Sequence, residues 1–132
     1  MKDGKKGTPR MLLGRKGEEE AARCLAARGQ ELLEKNCRKG HLEIDLVTLD
    51  AAGVHFVEVK SRMLPCAAPP QEAVNPRKQQ RVARAAARYL AQSKDPRILP
   101  DTEVHFDVVA VTFDGARTEV EVFPDAFYPI YC

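Results

Sequence analysis

An apolar run, Val54-His55-Phe56-Val57-Glu58-Val59-Lys60, carries an acid and a base two residues apart. Successive strand side chains alternate faces, so Glu58 and Lys60 project the same way, and withdrawing both charges from water is costly unless they pair or hold a cation. A second acid, Asp45, lies in His41-Leu42-Glu43-Ile44-Asp45-Leu46-Val47, where Leu42, Ile44 and Leu46 would line one face and Glu43 and Asp45 the other. A short turn, Asp50-Ala51-Ala52-Gly53, makes the two runs antiparallel neighbours. In direct register that brings the Asp45 and Glu58 side chains to roughly 5 Å. Carboxylates that close repel each other, and a hard divalent cation relieves the repulsion.

Phosphodiester hydrolysis is the chemistry that needs this set. Mg²⁺ or Mn²⁺ held by Asp45, Glu58 and the Val59 carbonyl would lower the pKa of a bound water and offset charge growing in the transition state. Lys60 would orient that water or neutralise the oxyanion, a role suited to a compact ammonium. A third acid enters from the first helix: at about 100° per residue, Glu18 shares the inward side with Ala21, Ala22 and Leu25. Stabilisation of the helix N-terminus is the plainer role for Glu18, and Glu19 with Arg23 forms an ordinary i,i+4 pair. The plainer role for Lys60 is an ion pair with Glu58 or Asp45 on a solvated face. An acid-x-Lys match carries little by itself, since Asp3-Gly4-Lys5 matches too.

The elements that must position these residues follow from periodicity and punctuation. Ala21, Ala22 and Leu25 predict an amphipathic helix from about Arg15 to Arg28, ended by Gly29. Glu31 to Arg38, His41 to Leu49 and Val54 to Arg62 read as a three-stranded meander turning at Lys39-Gly40 and at Asp50-Ala51-Ala52-Gly53. After a stretch with Pro65, Pro69 and Pro70, Asn75-Pro76 supplies an N-cap and a first-turn proline to a helix running to about Ser93. Glu103 to Phe113 and Thr118 to Phe123 are two more strands around Asp114-Gly115. The order αβββαββ predicts an α/β fold, a mixed sheet with a helix on each side, because the third strand reaches the fourth through a helix.

Length and composition set the frame. A chain of 132 residues is one domain and buries roughly two-thirds of its unfolded surface. Residues 1–10, with Lys2, Lys5, Lys6 and Arg10, read as a flexible basic arm, leaving 11–132 as the folded domain. Basic and acidic residues number 21 and 19, for a formal charge of +2, so total charge announces no nucleic-acid partner. No stretch reaches the roughly 20 apolar residues of a membrane span, and no secretory signal follows the basic start, which predicts a cytoplasmic protein without a membrane partner. Cys24, Cys37, Cys66 and Cys132 are too scattered for a zinc site and read as free thiols. His41, His55 and His105 are scattered as well.

Charge is concentrated, however, on the second helix. Between Asn75 and Arg97 stand Arg77, Lys78, Arg81, Arg84, Arg88, Lys94 and Arg97 against the single acid Asp95. Arg77, Arg81, Arg84 and Arg88 recur at spacings of four, three and four, which gathers them on one face, while Val82, Ala86, Tyr89 and Leu90 form another. An arginine face without acids suits phosphates, and with few aromatics to stack bases it favours backbone contact over base reading. Gln79 and Gln80 fit either substrate or solvent. Asp107 alternates with His105 and Val109, and fits either a place beside the site or a structural hydrogen bond.

Several of these segments together carry a resemblance. Gly14-Arg15-Lys16-Gly17-Glu18, Glu43-Ile44-Asp45-Leu46-Val47, Phe56-Val57-Glu58-Val59-Lys60-Ser61-Arg62, Glu72-Ala73-Val74-Asn75-Pro76-Arg77-Lys78 and Phe106-Asp107-Val108-Val109 look like the YraN-type (UPF0102) family of uncharacterised endonuclease-like proteins. The likeness covers about residues 14 to 127. That family resembles the PD-(D/E)xK nucleases, with a restriction-endonuclease-like fold and relatives among the Holliday-junction resolvases. The resemblance assigns the helix acid to Glu18, the strand acid to Asp45 and the acid-x-Lys pair to Glu58 and Lys60. It departs at Leu42, where the family usually carries glycine. It implies a metal-dependent endonuclease acting on DNA, with branched duplex and a two-fold dimer suggested by the resolvases. The alternative is a nucleic-acid-binding module that keeps the fold and does not cleave.

Overall fold

The computed structural model describes residues 8–65 and 75–127. Lys2, Lys5, Lys6, Pro69, Pro70, the Glu72-Ala73-Val74 segment, Cys66 and Cys132 lie outside the described residues, as does the Arg10 side chain. The chain forms α1 (Pro9–Ala27), β1 (Glu31–Lys39), β2 (Leu42–Asp50), β3 (Gly53–Leu64), α2 (Pro76–Gln92), β4 (Val104–Asp114) and β5 (Arg117–Phe123). This is the predicted order αβββαββ. The strands make one sheet, in the order β1-β2-β3-β4-β5. Only β3 and β4 run parallel, in register from Val54↔Val104 to Leu64↔Asp114; the other neighbours are antiparallel. A parallel pair needs a crossover, and α2 supplies it.

The two helices cover opposite faces of the sheet. Ala21 and Leu25 of α1 pack with Leu46, Val57, Val109 and Val111, whereas Val82, Ala85, Ala86 and Tyr89 of α2 pack with Ile44, Val54, Phe56, Phe106 and Val108. Phe56 anchors the second layer, edge-on to Tyr89 at 5.8 Å between centroids and stacked on Phe106 at 5.7 Å. Truncating such a buried ring to alanine costs about 3–5 kcal/mol.

α1 begins six residues earlier than the alanine periodicity predicts. Thr8 Oγ1 accepts the Met11 N–H at 3.1 Å and Pro9 occupies the first turn, so cap chemistry sets the start ahead of the apolar stripe. Pro9 and Arg10 are therefore helical, not part of an arm. At the other end Gly29 takes a φ of 91°, and the Gln30 N–H donates to Leu25 O at 3.0 Å to close the helix. The expected Glu19 to Arg23 pair is replaced by one of Arg23 with Glu20, at 2.8 Å. α1 lies close on β3 at Gly17: a Cβ there would overlap Ser61 Oγ and stand 2.9 Å from Ser61 Cβ.

The predicted single apolar face of β2 breaks at Asp45. Leu42 and Ile44 pack on the α2 side, but Leu46 packs on the α1 side and Val47 returns to α2. Two irregularities flank the break. The β1/β2 register places Asn36 across from Asp45, and Asn36 adopts a left-handed φ of 51°. The β2/β3 ladder ends at Leu46↔Val57. Period-two alternation presumes an unbroken ladder, which Asp45 lacks.

Candidate active site

β3 presents Glu58 to the α2 side, continuing the face of Val54 and Phe56, while Val57 and Val59 pack with α1. Glu58 is buried and Lys60 is half-buried. Where the ladder between β2 and β3 stops, the Asp45 side chain takes over the bonding: Asp45 Oδ2 accepts the Val59 N–H at 2.8 Å. That bond fixes Asp45 against the Glu58-Val59 segment, although the regular ladder stops one pair short of Asp45 and Glu58. Burial pushes the Asp45 carboxyl up to about 8, helped by the Glu58 charge, against the pull of the Val59 N–H. Glu18 of α1 and Lys78 of α2 act on it more weakly, in opposite senses.

Glu18 is half-buried and raised above the usual carboxylate range by desolvation, which outweighs a hydrogen bond with Asn36; Glu43 and Glu58 raise it further. The structure thus brings Glu18, Asp45 and Glu58 within electrostatic reach of one another. Among the described residues, no three or more His, Cys, Asp or Glu side chains are gathered tightly enough to hold a metal ion as they stand. The donor set nevertheless suits a hard dication: the acids are oxygen ligands only, and their mutual repulsion is what positive charge between them would relieve. Asp45, Glu58, the Val59 carbonyl and Glu18 are the residues that would hold it.

Lys60 makes no ion pair among the described residues, so the plainer alternative, a solvated pair with Glu58 or Asp45, is not formed. Glu58 pairs instead with Lys78, Oε2 to Nζ at 2.8 Å. Burial would lower the Lys78 pKa, but the hydrogen bond and the charges of Glu58 and Asp45 outweigh it and raise it. Periodicity counts Lys78 only among the phosphate-binding bases of the second helix and gives Asn36 no role. The signal available for Asn36 was an asparagine within a strand, where that residue is depleted.

The arginines of α2 separate into two sets. Arg77, Arg81 and Arg84, with Gln80, His41 and Leu42, line an open groove of about 510 Å³ between α2 and the start of β2. Arg77 and Arg84 make no ion pair among the described residues, whereas Arg81 Nη2 donates to His41 O at 3.4 Å and Arg88 Nη1 to Lys39 O at 3.1 Å. Leu42 lines the groove while its side chain is buried in the α2-side core.

Asp107 belongs elsewhere. It is buried on the α1 side of β4, with Oδ2 2.7 Å from His55 Nδ1 and Oδ1 accepting the Asp125 N–H at 2.8 Å. His55 Nε2 lies 2.8 Å from Asp50 Oδ1, and its ring stacks on His105 at 4.8 Å. The structural reading of Asp107 is therefore the correct one. Cys24 and Cys37 are free thiols, as predicted. No helix among the described residues is long and apolar enough to cross a membrane.

Comparison with known proteins agrees with the motifs. The sequence model of the family described as "Uncharacterised protein family UPF0102" matches residues 17–111, a span that includes Glu18, Asp45, Glu58, Lys60 and the arginines of α2. A UPF0102 protein of Syntrophotalea carbinolica is 42% identical over 118 residues, covering 89% of this chain and 93% of the relative. One from Anaeromyxobacter dehalogenans is 41% identical over 124 residues, covering 94% and 90%, and one from Geobacter metallireducens 39% identical over 121, covering 90% and 94%. With the family model spanning both the acids and the basic helix, and relatives aligned over nearly their whole length, this chain belongs to the YraN-type UPF0102 family.

Proposed function

We propose that this chain is a metal-dependent endonuclease that binds DNA through its phosphate backbone and hydrolyses a phosphodiester. The observation that carries the reading is the Asp45 to Val59 hydrogen bond, which holds Asp45 against the Glu58-Val59 segment, immediately before a Lys60 that makes no ion pair among the described residues. Asp45, Glu58, the Val59 carbonyl and Glu18 would hold Mg²⁺ or Mn²⁺, which would supply positive charge to lower the pKa of a water and to offset the negative charge of the transition state. Lys60, at the open end of the same face, orients the attacking oxygen or neutralises the oxyanion. Arg77 and Arg84, lining the groove between α2 and the start of β2, hold flanking phosphates in bidentate contacts. Branched duplex as substrate, a two-fold dimer and a cytoplasmic setting complete the reading by resemblance to the resolvases and by composition.

A second reading keeps the nucleic-acid surface and gives up cleavage. It is favoured by Lys78, which already supplies Glu58 with a counter-charge. The two separate on one preparation: wild type and the Asp45→Asn, Glu58→Gln and Lys60→Ala variants, incubated with labelled duplex, single-stranded, flapped and four-way DNA, with and without Mn²⁺. Cleavage that requires Mn²⁺ and falls by about 100-fold or more in each variant supports the enzyme. Binding that survives every substitution, with no substrate cut by wild type, leaves the module.

A further inference from the structure

The first two turns of α2 divide their cations between two places. Arg77 and Arg81 line the groove, while Lys78 between them reaches into the carboxylate site. The Lys78 side chain is 45% exposed and the Glu58 side chain 11%, so a lysine with access to solvent covers a buried acid. The Lys78 backbone is fixed: its N–H donates to the Asn75 cap, to Oδ1 at 2.8 Å. Its four-carbon stem is flexible, so the ammonium can leave Glu58 without any movement of the helix.

We propose that Lys78 is a latch that couples cation binding to nucleic-acid binding. It neutralises Glu58 until a backbone phosphate attracts it, and its departure frees Glu58 for a divalent cation. The inference rests on reading Glu58 as a cation ligand and α2 as a phosphate surface. One ammonium then serves two anions in turn, Glu58 in the free protein and a phosphate in the complex. A dication and the ammonium compete for the same carboxylate, so the cation site is weakened until nucleic acid arrives. Binding linkage is reciprocal, so the cation must tighten nucleic-acid binding by the same factor.

The test compares wild type with Lys78→Gln, Lys78→Ala and the charge-conserving Lys78→Arg. The position is half-exposed in a helix, where all three replacements are accommodated, and thermal melts confirm folding. Mn²⁺ affinity of the free protein is measured by titration calorimetry, and affinity for a labelled duplex by anisotropy with and without Ca²⁺. The latch predicts that Lys78→Gln and Lys78→Ala bind Mn²⁺ about fivefold or more tightly than wild type, at the lower end of ordinary coupling factors. It also predicts that Ca²⁺ tightens duplex binding less in these two than in wild type, while Lys78→Arg behaves as wild type. Equal or weaker Mn²⁺ binding in the neutral variants overturns the latch and leaves the cation site standing. An equal Ca²⁺ effect in all four proteins overturns it too, because a phosphate ligating the cation directly would then explain the coupling. Failure of all four to bind Mn²⁺ removes the cation site itself, and the latch with it.

Discussion

Asp45 is the residue at which stability and chemistry oppose each other. An acid raised from 3.8 to about 8 keeps its proton in the fold while the unfolded chain releases it. Across that interval the folded state holds the extra proton, so raising the pH destabilises it. Asparagine in its place still accepts the Val59 N–H but carries no charge beside Glu58. In EDTA at pH 8, Asp45→Asn is therefore expected to be more stable than wild type by about 1 kcal/mol, a rise of about 4 °C in Tm, with the gain vanishing near pH 4. Thermal melts across that range check it; a lower Tm for the variant at pH 8 would show that the carboxylate stabilises the fold. Groups retained at a cost to stability are the usual mark of a working site. The acids and Lys60 were legible in the sequence because charge inside an apolar strand is conspicuous. The actual partner of Glu58, twenty residues away on another element, was not.

Among the elements, α1 is held to the sheet by close approach as much as by apolar area. Gly17 faces Ser61, and rotating the serine oxygen away relieves one overlap but not the 2.9 Å approach to its Cβ. Gly17→Ala is expected to cost about 1–3 kcal/mol by overpacking, read from denaturant midpoints, although alanine alone favours a helix. An unchanged midpoint would mean that α1 shifts freely on β3.

β3 and β4 carry a second electrostatic device on that face, His55 between Asp107 and Asp50. Burial alone would lower the His55 pKa, yet hydrogen bonds to the two acids raise it above the ordinary histidine value. A base raised in the fold stabilises fully below its unfolded pKa of 6.5, and loses that stabilisation as pH rises through the folded value. Tm of wild type should thus decline above about pH 6.5. His55→Ala should flatten that decline and cost about 3 kcal/mol at pH 6 by leaving Asp107 buried and unpaired. A decline as steep in the variant as in wild type would assign it to other groups, Asp45 among them. Element order was readable from turns, caps and periodicity. The early start of α1 and the break at Asp45 were not, because one is set by a cap outside the apolar stripe and the other by the end of a ladder with a distant strand.

For the whole molecule, the groove arginines bear on substrate binding as a set. Four or five phosphate contacts predict that log affinity for duplex falls with log salt at a slope of about −4. Arg77 and Arg84 make no ion pair among the described residues, so Arg77→Ala with Arg84→Ala should lessen the slope by about 2 and weaken all sequences alike. Arg88, tied to Lys39 O, should change the slope little when replaced. Anisotropy titrations at several salt concentrations check both; a slope unaltered by the double variant would move the phosphate surface elsewhere. The sequence by itself determined the α/β order, the candidate acids, Lys60 and the arginine face, since each is written in local spacing that backbone geometry converts directly into a face. Tertiary structure alone decided that Glu58 pairs with Lys78, that Asp107 belongs to a histidine network on the other face, and that Asp45 replaces the ladder to bond Val59. Those outcomes depend on which distant segments meet, and no local periodicity records it.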